Sequence, residues 1–164
     1  MVLLGETKDE LGGSEYLKVI HGKIAGPPPS VDWDAEKGLI KCLIRAAASG
    51  LLSSAHDLSE GGLAVAVAES SIQGGTGAGV KLAGGLPLHV LLFSESQSRA
   101  LVSVQPAKLE ALEKIAGELG IPLEVIGETG GDSLEVEGAF SIPLEKLEDI
   151  YTNSLEKMIT GAHH

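Results

Sequence analysis

Residues 56–63 read His56-Asp57-Leu58-Ser59-Glu60-Gly61-Gly62-Leu63. Polar groups and two adjacent glycines separate a strand end, starting near Ala55, from a mostly apolar helix over residues 63–72. A helix so uniformly apolar is buried. Its first N–H groups have no partner within the helix and carry the positive end of its dipole, so an anion is favoured there. Asp57, just upstream, is placed to hold a divalent cation that bridges to phosphate oxygens, because magnesium takes few protein carboxylates and keeps several waters. An equally simple reading makes Ser59 the cap of the helix and Asp57 a turn former.

Upstream of this stretch, Val2-Leu3-Leu4-Gly5 reads as the end of a strand. A turn over residues 9–13 then feeds a short helix capped by Ser14 and stopped near Gly22. Gly12-Gly13-Ser14 either wraps a phosphate, with Ser14 as donor, or is a capped turn. Pro27-Pro28-Pro29 forces an extended connector. Over residues 32–49 the 3.6-residue period predicts a helix with Leu39, Leu43 and Ala46 sharing a face with Ile40, Ile44 and Ala47, and Lys37, Lys41 and Arg45 opposite; Gly50 ends it.

Downstream, the glycine-rich residues 74–79 pass into a strand near residues 80–82, and residues 88–93 read as a continuous apolar strand at the centre of a sheet. Residues 101–104 read as another strand. Residues 106–119 form an amphipathic helix with Pro106 in its first turn and Leu109, Leu112, Ile115 and Ala116 inward. Residues 123–126 and 134–137 alternate as two half-buried strands joined through Gly130-Gly131-Asp132, and Pro143 opens a last helix to about residue 159. Strands joined both by turns and by helices predict an α+β fold, a mixed β-sheet packed with helices, and there is no internal repeat.

The 164 residues fit one domain, taken as residues 1–162, with His163-His164 as the remainder of a tag and the whole as a piece of a longer chain. Aromatics make up only 3%, so the core is aliphatic. A formal net charge of -11 without a basic run argues against nucleic acid and anionic membrane surfaces as partners. The single Cys42, on the apolar side of the long helix, excludes an internal disulfide and reads as packing. With no signal peptide or membrane-length apolar run, a cytoplasmic location is expected. His56 lacks an identifiable nucleophile or orienting group, so it reads as a packed histidine rather than an acid–base catalyst. His21 and His89 look incidental, and residues 74–79 lack the spacing of a P-loop.

The 56–63 stretch, followed by Ala64-Val65-Ala66, resembles the Asp-x-Ser-x-Gly-Gly-Leu segment of the aminoimidazole ribonucleotide synthetase-like superfamily, whose members use ATP to activate an amide or acid oxygen. Two further stretches narrow the resemblance: Gly5-Glu6-Thr7 through Glu10-Leu11-Gly12-Gly13-Ser14-Glu15-Tyr16-Leu17, and Phe93-Ser94-Glu95-Ser96-Gln97-Ser98-Arg99. They are similar to the C-terminal-type domain of the phosphoribosylformylglycinamidine synthase family, over about residues 4–155. The resemblance implies a mixed sheet with helices that completes nucleotide and substrate clefts with N-terminal-type domains absent from this chain. It implies ATP-dependent conversion of formylglycinamide ribonucleotide, with ammonia released from glutamine, to formylglycinamidine ribonucleotide in purine biosynthesis. Cofactors would be Mg2+ and ATP or ADP. Partners would be those N-terminal-type domains, a glutaminase subunit and a small accessory subunit. Onto this sequence it carries Asp57 as metal ligand and Glu95, Ser96 and Gln97 as a ligand-contacting loop; the helix starts add Ser59, Gly61 and Gly62, and Gly12, Gly13 and Ser14, as nucleotide- or phosphate-binding positions, with the catalytic residues unassigned. The chain alone is expected to be inactive. The alternatives are an auxiliary nucleotide-binding module that stabilises a multi-subunit assembly, and another member of the same superfamily.

Overall fold

A computed structural model describes residues 1–161. The expected tag residues His163 and His164, like Ala162, lie outside the described residues. In chain order the elements are β1 (Val2–Leu4), α1 (Glu15–His21), α2 (Trp33–Ala48), β2 (Leu52–Asp57), α3 (Gly62–Gly74), β3 (Ala78–Val80), α4 (Leu88–Phe93) and β4 (Ala100–Val104). A 3-10 turn, Pro106–Lys108, leads into α5 (Leu109–Glu118), followed by β5 (Leu123–Val125), β6 (Gly127–Thr129), β7 (Ser133–Val136), β8 (Phe140–Pro143) and α6 (Leu144–Thr160). The fold is α+β, as the mixed element order implied.

The strands divide into two four-stranded sheets, β2-β4-β1-β5 and β6-β3-β7-β8. The first is antiparallel throughout; the second is mixed, because β3 and β7 run parallel. Successive strand side chains point to opposite faces, and the first sheet uses both. Val2, Leu4, Ala100 and Val102 face α2 and α5, where Leu39, Cys42, Ala46, Leu112, Ile115 and Ala116 are buried against them. Leu3 and Leu101 face the other way, onto Leu63, Ala66 and Val67 of α3 and the strands of the second sheet. Each fully buried leucine or valine in these layers contributes about 1.5–3 kcal/mol. Cys42 is packing, as its place on α2 implied.

Several elements depart from the sequence-based expectation. Residues 88–93 form the short helix α4, not a central strand. Pro87 starts it, and its carbonyl accepts the N–H groups of Val90 (2.9 Å) and Leu91 (3.1 Å). A six-residue apolar run is too short for its period to separate helix from strand. On α2, Ile40 and Ile44 are exposed rather than buried, since only the stripe through Leu39, Cys42 and Ala46 meets the sheet. The strands expected at 123–126 and 134–137 lie in different sheets and do not pair. Strand β8, which pairs with β7, has no counterpart in the sequence reading: Phe140 and Ile142 are only partly buried, and Pro143 ends the strand as it precedes α6.

Helix α1 does begin at Ser14. Its Oγ accepts the Leu17 N–H (3.3 Å) and donates to the Leu11 carbonyl (2.7 Å), in a side chain 1% exposed. Ser14→Ala is expected to cost about 1–2 kcal/mol in urea denaturation, the magnitude of a lost cap with one further buried bond; no measurable change would remove the cap from the account. Around this helix Tyr16 meets His21 edge-on (5.4 Å) and stacks with His89 (5.8 Å) and Phe93 (5.1 Å), so the two histidines that look incidental in sequence belong to one ring cluster.

Candidate functional site

Strand pairing brings the three polar stretches together. Because β4 runs antiparallel to both β1 and β2, Leu4 and Asp57 each lie opposite Ala100. The loop after β1, the turn after β2 and the loop before β4 therefore emerge at one end of the first sheet. Further contacts lock them. Ser94 Oγ donates to the Lys8 carbonyl (2.9 Å), Ser96 Oγ accepts the Lys8 N–H (3.1 Å), and the Leu58 N–H donates to the Arg99 carbonyl (3.4 Å). Ser94 and Ser96 are both fully buried.

Asp57 ends β2 with its side chain 83% exposed, on the rim of a cavity of ≈ 350 Å³ that also touches Glu36, Ile40, Ser59 and Gln97. It does not cap its own turn with any bond recorded among the described residues. His56, beside it, is partly buried; its Nδ1 lies 2.7 Å from the Asp57 carbonyl and its Nε2 3.3 Å from Glu69 Oε2. The ring thus holds the strand end against α3. No group of three or more His, Cys, Asp or Glu poised for a metal occurs among the described residues.

Ser59 is exposed and does not cap α3. The N-cap is Gly61, without any side-chain cap bond, and the Ser59 carbonyl accepts the Gly62 N–H (3.0 Å). The Gly61 N–H donates instead to Glu95 Oε1 (2.9 Å). That same oxygen accepts the N–H of Glu15, the first residue of α1 (2.9 Å). A carboxylate of the chain itself therefore lies against the two helix starts singled out as phosphate seats. At the first of them the geometry is that of the capped-turn alternative: the Gly13 N–H bonds to the Ala25 carbonyl (2.9 Å), a side chain on Gly12 would collide with the Pro27 carbonyl, and the Ser14 hydroxyl is committed to its cap. Gly12, Gly13 and Ser14 form a capped turn in which the Gly13 N–H and the N–H and hydroxyl of Ser14 already have partners inside the protein.

Within the loop 95–97 the three candidate residues differ. Glu95 is committed to backbone N–H groups, Ser96 is fully buried, and Gln97 is exposed on the wall between the Asp57 cavity and a second one of ≈ 200 Å³, bordered by Glu6, Lys8, Ser30 and Asp32. Gln97 Nε2 donates to the Glu95 carbonyl (3.1 Å).

Two residues without an assigned role in the sequence reading hold this loop. Arg99 is 3% exposed; its Nε donates to the Ser96 carbonyl (2.9 Å), its Nη1 to Thr7 Oγ1 (3.0 Å) and its Nη2 to the Ser94 carbonyl (2.5 Å). Burial pulls its pKa down to about 10, against the opposing charges of Glu10 and Glu95. For Glu10, burial of the carboxyl opposes ionisation, yet hydrogen bonds from the Ser30 hydroxyl and N–H and from Ser96 outweigh it and hold the group below the usual glutamate range. Its Oε2 is buried without a partner among the described residues. The signal for Arg99 is present in the sequence: a lone cation beside the apolar run Ala100-Leu101-Val102 must be buried and compensated.

The family model described as AIR synthase related protein, C-terminal domain, matches residues 1–138. The phosphoribosylformylglycinamidine synthase subunit PurL of Thermobifida fusca (strain YX) is 48% identical over 156 residues, covering 93% of this chain and 20% of that protein. The chain thus spans about a fifth of the length of the curated relatives it matches. Among solved structures, PurL of T. maritima complexed with FGAR superposes with a TM-score of 0.77 at 25% identity, over 90% of this chain and 27% of that one. PurL of T. maritima complexed with ATP gives a TM-score of 0.69 at 24% identity, over 90% and 25% respectively, and so shows the shared fold.

Proposed function

The chain belongs to the AIR synthase related protein family, as a C-terminal domain of that family, and from this premise we propose that it is the C-terminal-type part of an ATP-dependent synthetase subunit of purine biosynthesis. In this reading the complete subunit acts in the cytoplasm and joins ammonia, released from glutamine by a glutaminase partner, to formylglycinamide ribonucleotide. A small accessory subunit completes the assembly. This domain supplies one wall of a nucleotide cleft, and N-terminal-type domains supply the other. The observation that carries the proposal is the convergence of the three motif stretches at one sheet end, beside an open cavity with Asp57 on its rim. The complexes of T. maritima PurL with FGAR and with ATP support the ligand classes.

Asp57 fits a magnesium ion that arrives on a nucleotide. It is a single exposed carboxylate with room for the waters magnesium retains, whereas a cation held by this chain alone would need more ligands than the described residues gather. When bound, the ion neutralises phosphate charge during transfer to the substrate oxygen. The chain's own residues contribute position: Asp57 and Gln97 present polar atoms to the cavity, Ser59 lines it, and Gly61 and Gly62 shape the turn behind it.

A second reading, an auxiliary domain that stabilises the assembly, is favoured by one specific observation. The Gly61 N–H and the Ser14 hydroxyl are already used inside the chain. Calorimetric titration with magnesium ADP separates the two readings. The nucleotide reading expects binding that Asp57→Asn weakens on the order of tenfold, the scale of one lost charge-assisted contact, and no synthetase turnover by the chain alone. Turnover by the isolated chain would sink the shared-cleft account, and equal affinity of the variant would take Asp57 out of the site.

A further inference from the structure

Glu95 stands in the middle of the loop that the resemblance assigns to ligand contact, yet its carboxylate is engaged inward. One oxygen accepts two backbone N–H groups at 2.9 Å, one from Glu15 and one from Gly61, which belong to helices far apart in sequence. Bonds of this kind to an ionised acceptor are about twice as strong as neutral ones. The buried Arg99 donates three hydrogen bonds to neutral oxygens of Ser96, Thr7 and Ser94, two of them the carbonyls on either side of Glu95, and the charges of Glu10 and Glu95 favour its cation. Ser94 and Ser96, on either side of Glu95, are buried and tied to the backbone of Lys8. Of residues 95–97, Gln97 is the one that lines both cavities, next to Ser98, which lines them too and whose hydroxyl donates to Glu36.

We propose that Glu95 is a positioning residue, not a ligand contact: its carboxylate, backed by Arg99, ties the Gly61 turn to the start of α1, and Gln97 is the side chain of the loop that meets a ligand at the Asp57 cavity. The tie follows from geometry internal to the chain, while the role of Gln97 rests on the nucleotide reading above. A protein carboxylate at this seat supplies, without any ligand, the anion that the exposed N–H groups of a helix start favour. It fixes the turn before a ligand arrives, so the orientation of Asp57 relative to Gln97 does not depend on binding.

Amide hydrogen exchange by NMR, combined with magnesium ADP titration of the same samples, tests both parts. In Glu95→Ala the amides of Glu15 and Gly61 are expected to exchange faster together, on the order of tenfold or more, while core amides such as Val102 and Leu112 keep their protection. Glu95→Gln retains an acceptor oxygen and should preserve most of that protection; it also decides the matter if the alanine variant fails to fold. Gln97→Ala should leave both amides unchanged and weaken magnesium ADP on the order of tenfold. Wild-type exchange at either amide in Glu95→Ala, or lost protection of both in Gln97→Ala, would overturn the tie. Nucleotide affinity that survives Gln97→Ala but disappears in Glu95→Gln with both amides still protected would make Glu95 the contact and overturn the assignment. If the wild-type chain does not bind magnesium ADP, the role of Gln97 at a cavity of this chain is overturned, whereas the two amides still decide the tie.

Discussion

Gly62→Ala is expected to destabilise the chain by about 3 kcal/mol or more, with α3 still in place but its first turn displaced. Two costs add at this position. Gly62 has φ +62°, where an L-residue loses roughly 1–2 kcal/mol relative to the right-handed region. A β-carbon there would also press into the Ser94 carbonyl and lie 2.9 Å from the Leu92 carbonyl, both backbone oxygens that cannot rotate aside. Overpacking of that kind costs about 1–3 kcal/mol. Gly61→Ala is the matched control. Its φ of +79° is equally unfavourable, but the nearest atoms to the added carbon belong to the side chain of Val65, which is exposed and can give way, and not to backbone. Urea denaturation of both variants should give a lower midpoint for Gly62→Ala than for Gly61→Ala, with unchanged slopes. Equal losses in the two would mean that backbone conformation alone matters and that the close approach of the turn to residues 92–94 is incidental.

That close approach explains why some of the site is legible in the sequence and some is not. Paired glycines announce a tight backbone approach, and the 56–63 stretch declares a strand end, a turn and a helix start through local rules alone. The helices α2 and α5 are legible for the same reason, since their apolar stripes repeat over three or more turns. Residues 88–93 are not. Six apolar residues satisfy helix and strand alike, and what decides is the tertiary partner: α4 lies on α3, with Val90 and Leu92 inward. Strand register is also a long-range matter. Nothing local in Leu123–Val125 or Ser133–Val136 says that the first pairs with β1 and the second with β3 and β8.

The side-chain chemistry divides similarly. Asp57 near a strand end and Ser14 as a cap follow from spacing, because caps and strand ends are local features. The destination of Glu95 does not, since its partners are backbone groups of Glu15 and Gly61 brought near only by the pairing of β4 with β1 and β2. A sequence displays a glutamate in a polar loop equally well whether it faces a ligand or the protein. Ser59 illustrates the reverse error: a serine before a helix suggests a cap, but two glycines with positive φ let the chain turn later, and the cap position falls on Gly61.

Arg99→Met should be among the most damaging single substitutions in the polar layer of the site, at about 3 kcal/mol, the scale of buried acceptors left without their donors. Methionine fills much of the arginine stem, so lost volume is a minor part. The larger loss is chemical. The Ser94 and Ser96 carbonyls and Thr7 Oγ1 give up their donors, and the carboxylates of Glu10 and Glu95 lose the cation that offsets them. Arg99→Lys should recover only part of the stability, because one ammonium cannot reach three acceptors arranged around a planar guanidinium. The pH dependence follows from the direction of the shift. With its folded pKa lowered by burial to about 10, Arg99 is charged in both folded and unfolded chains through the neutral range, so its contribution is flat there. Only above about pH 10 does the unfolded chain bind more protons at this residue, and its contribution then rises with pH. The stability difference between wild type and Arg99→Met, measured by urea denaturation from pH 6 to 9, is therefore expected to be large and constant. A loss below about 1 kcal/mol would mean that water replaces the guanidinium without penalty. In that case Glu95 would hold its two helix starts unaided, and the charge beneath it would be dispensable to the geometry of the site.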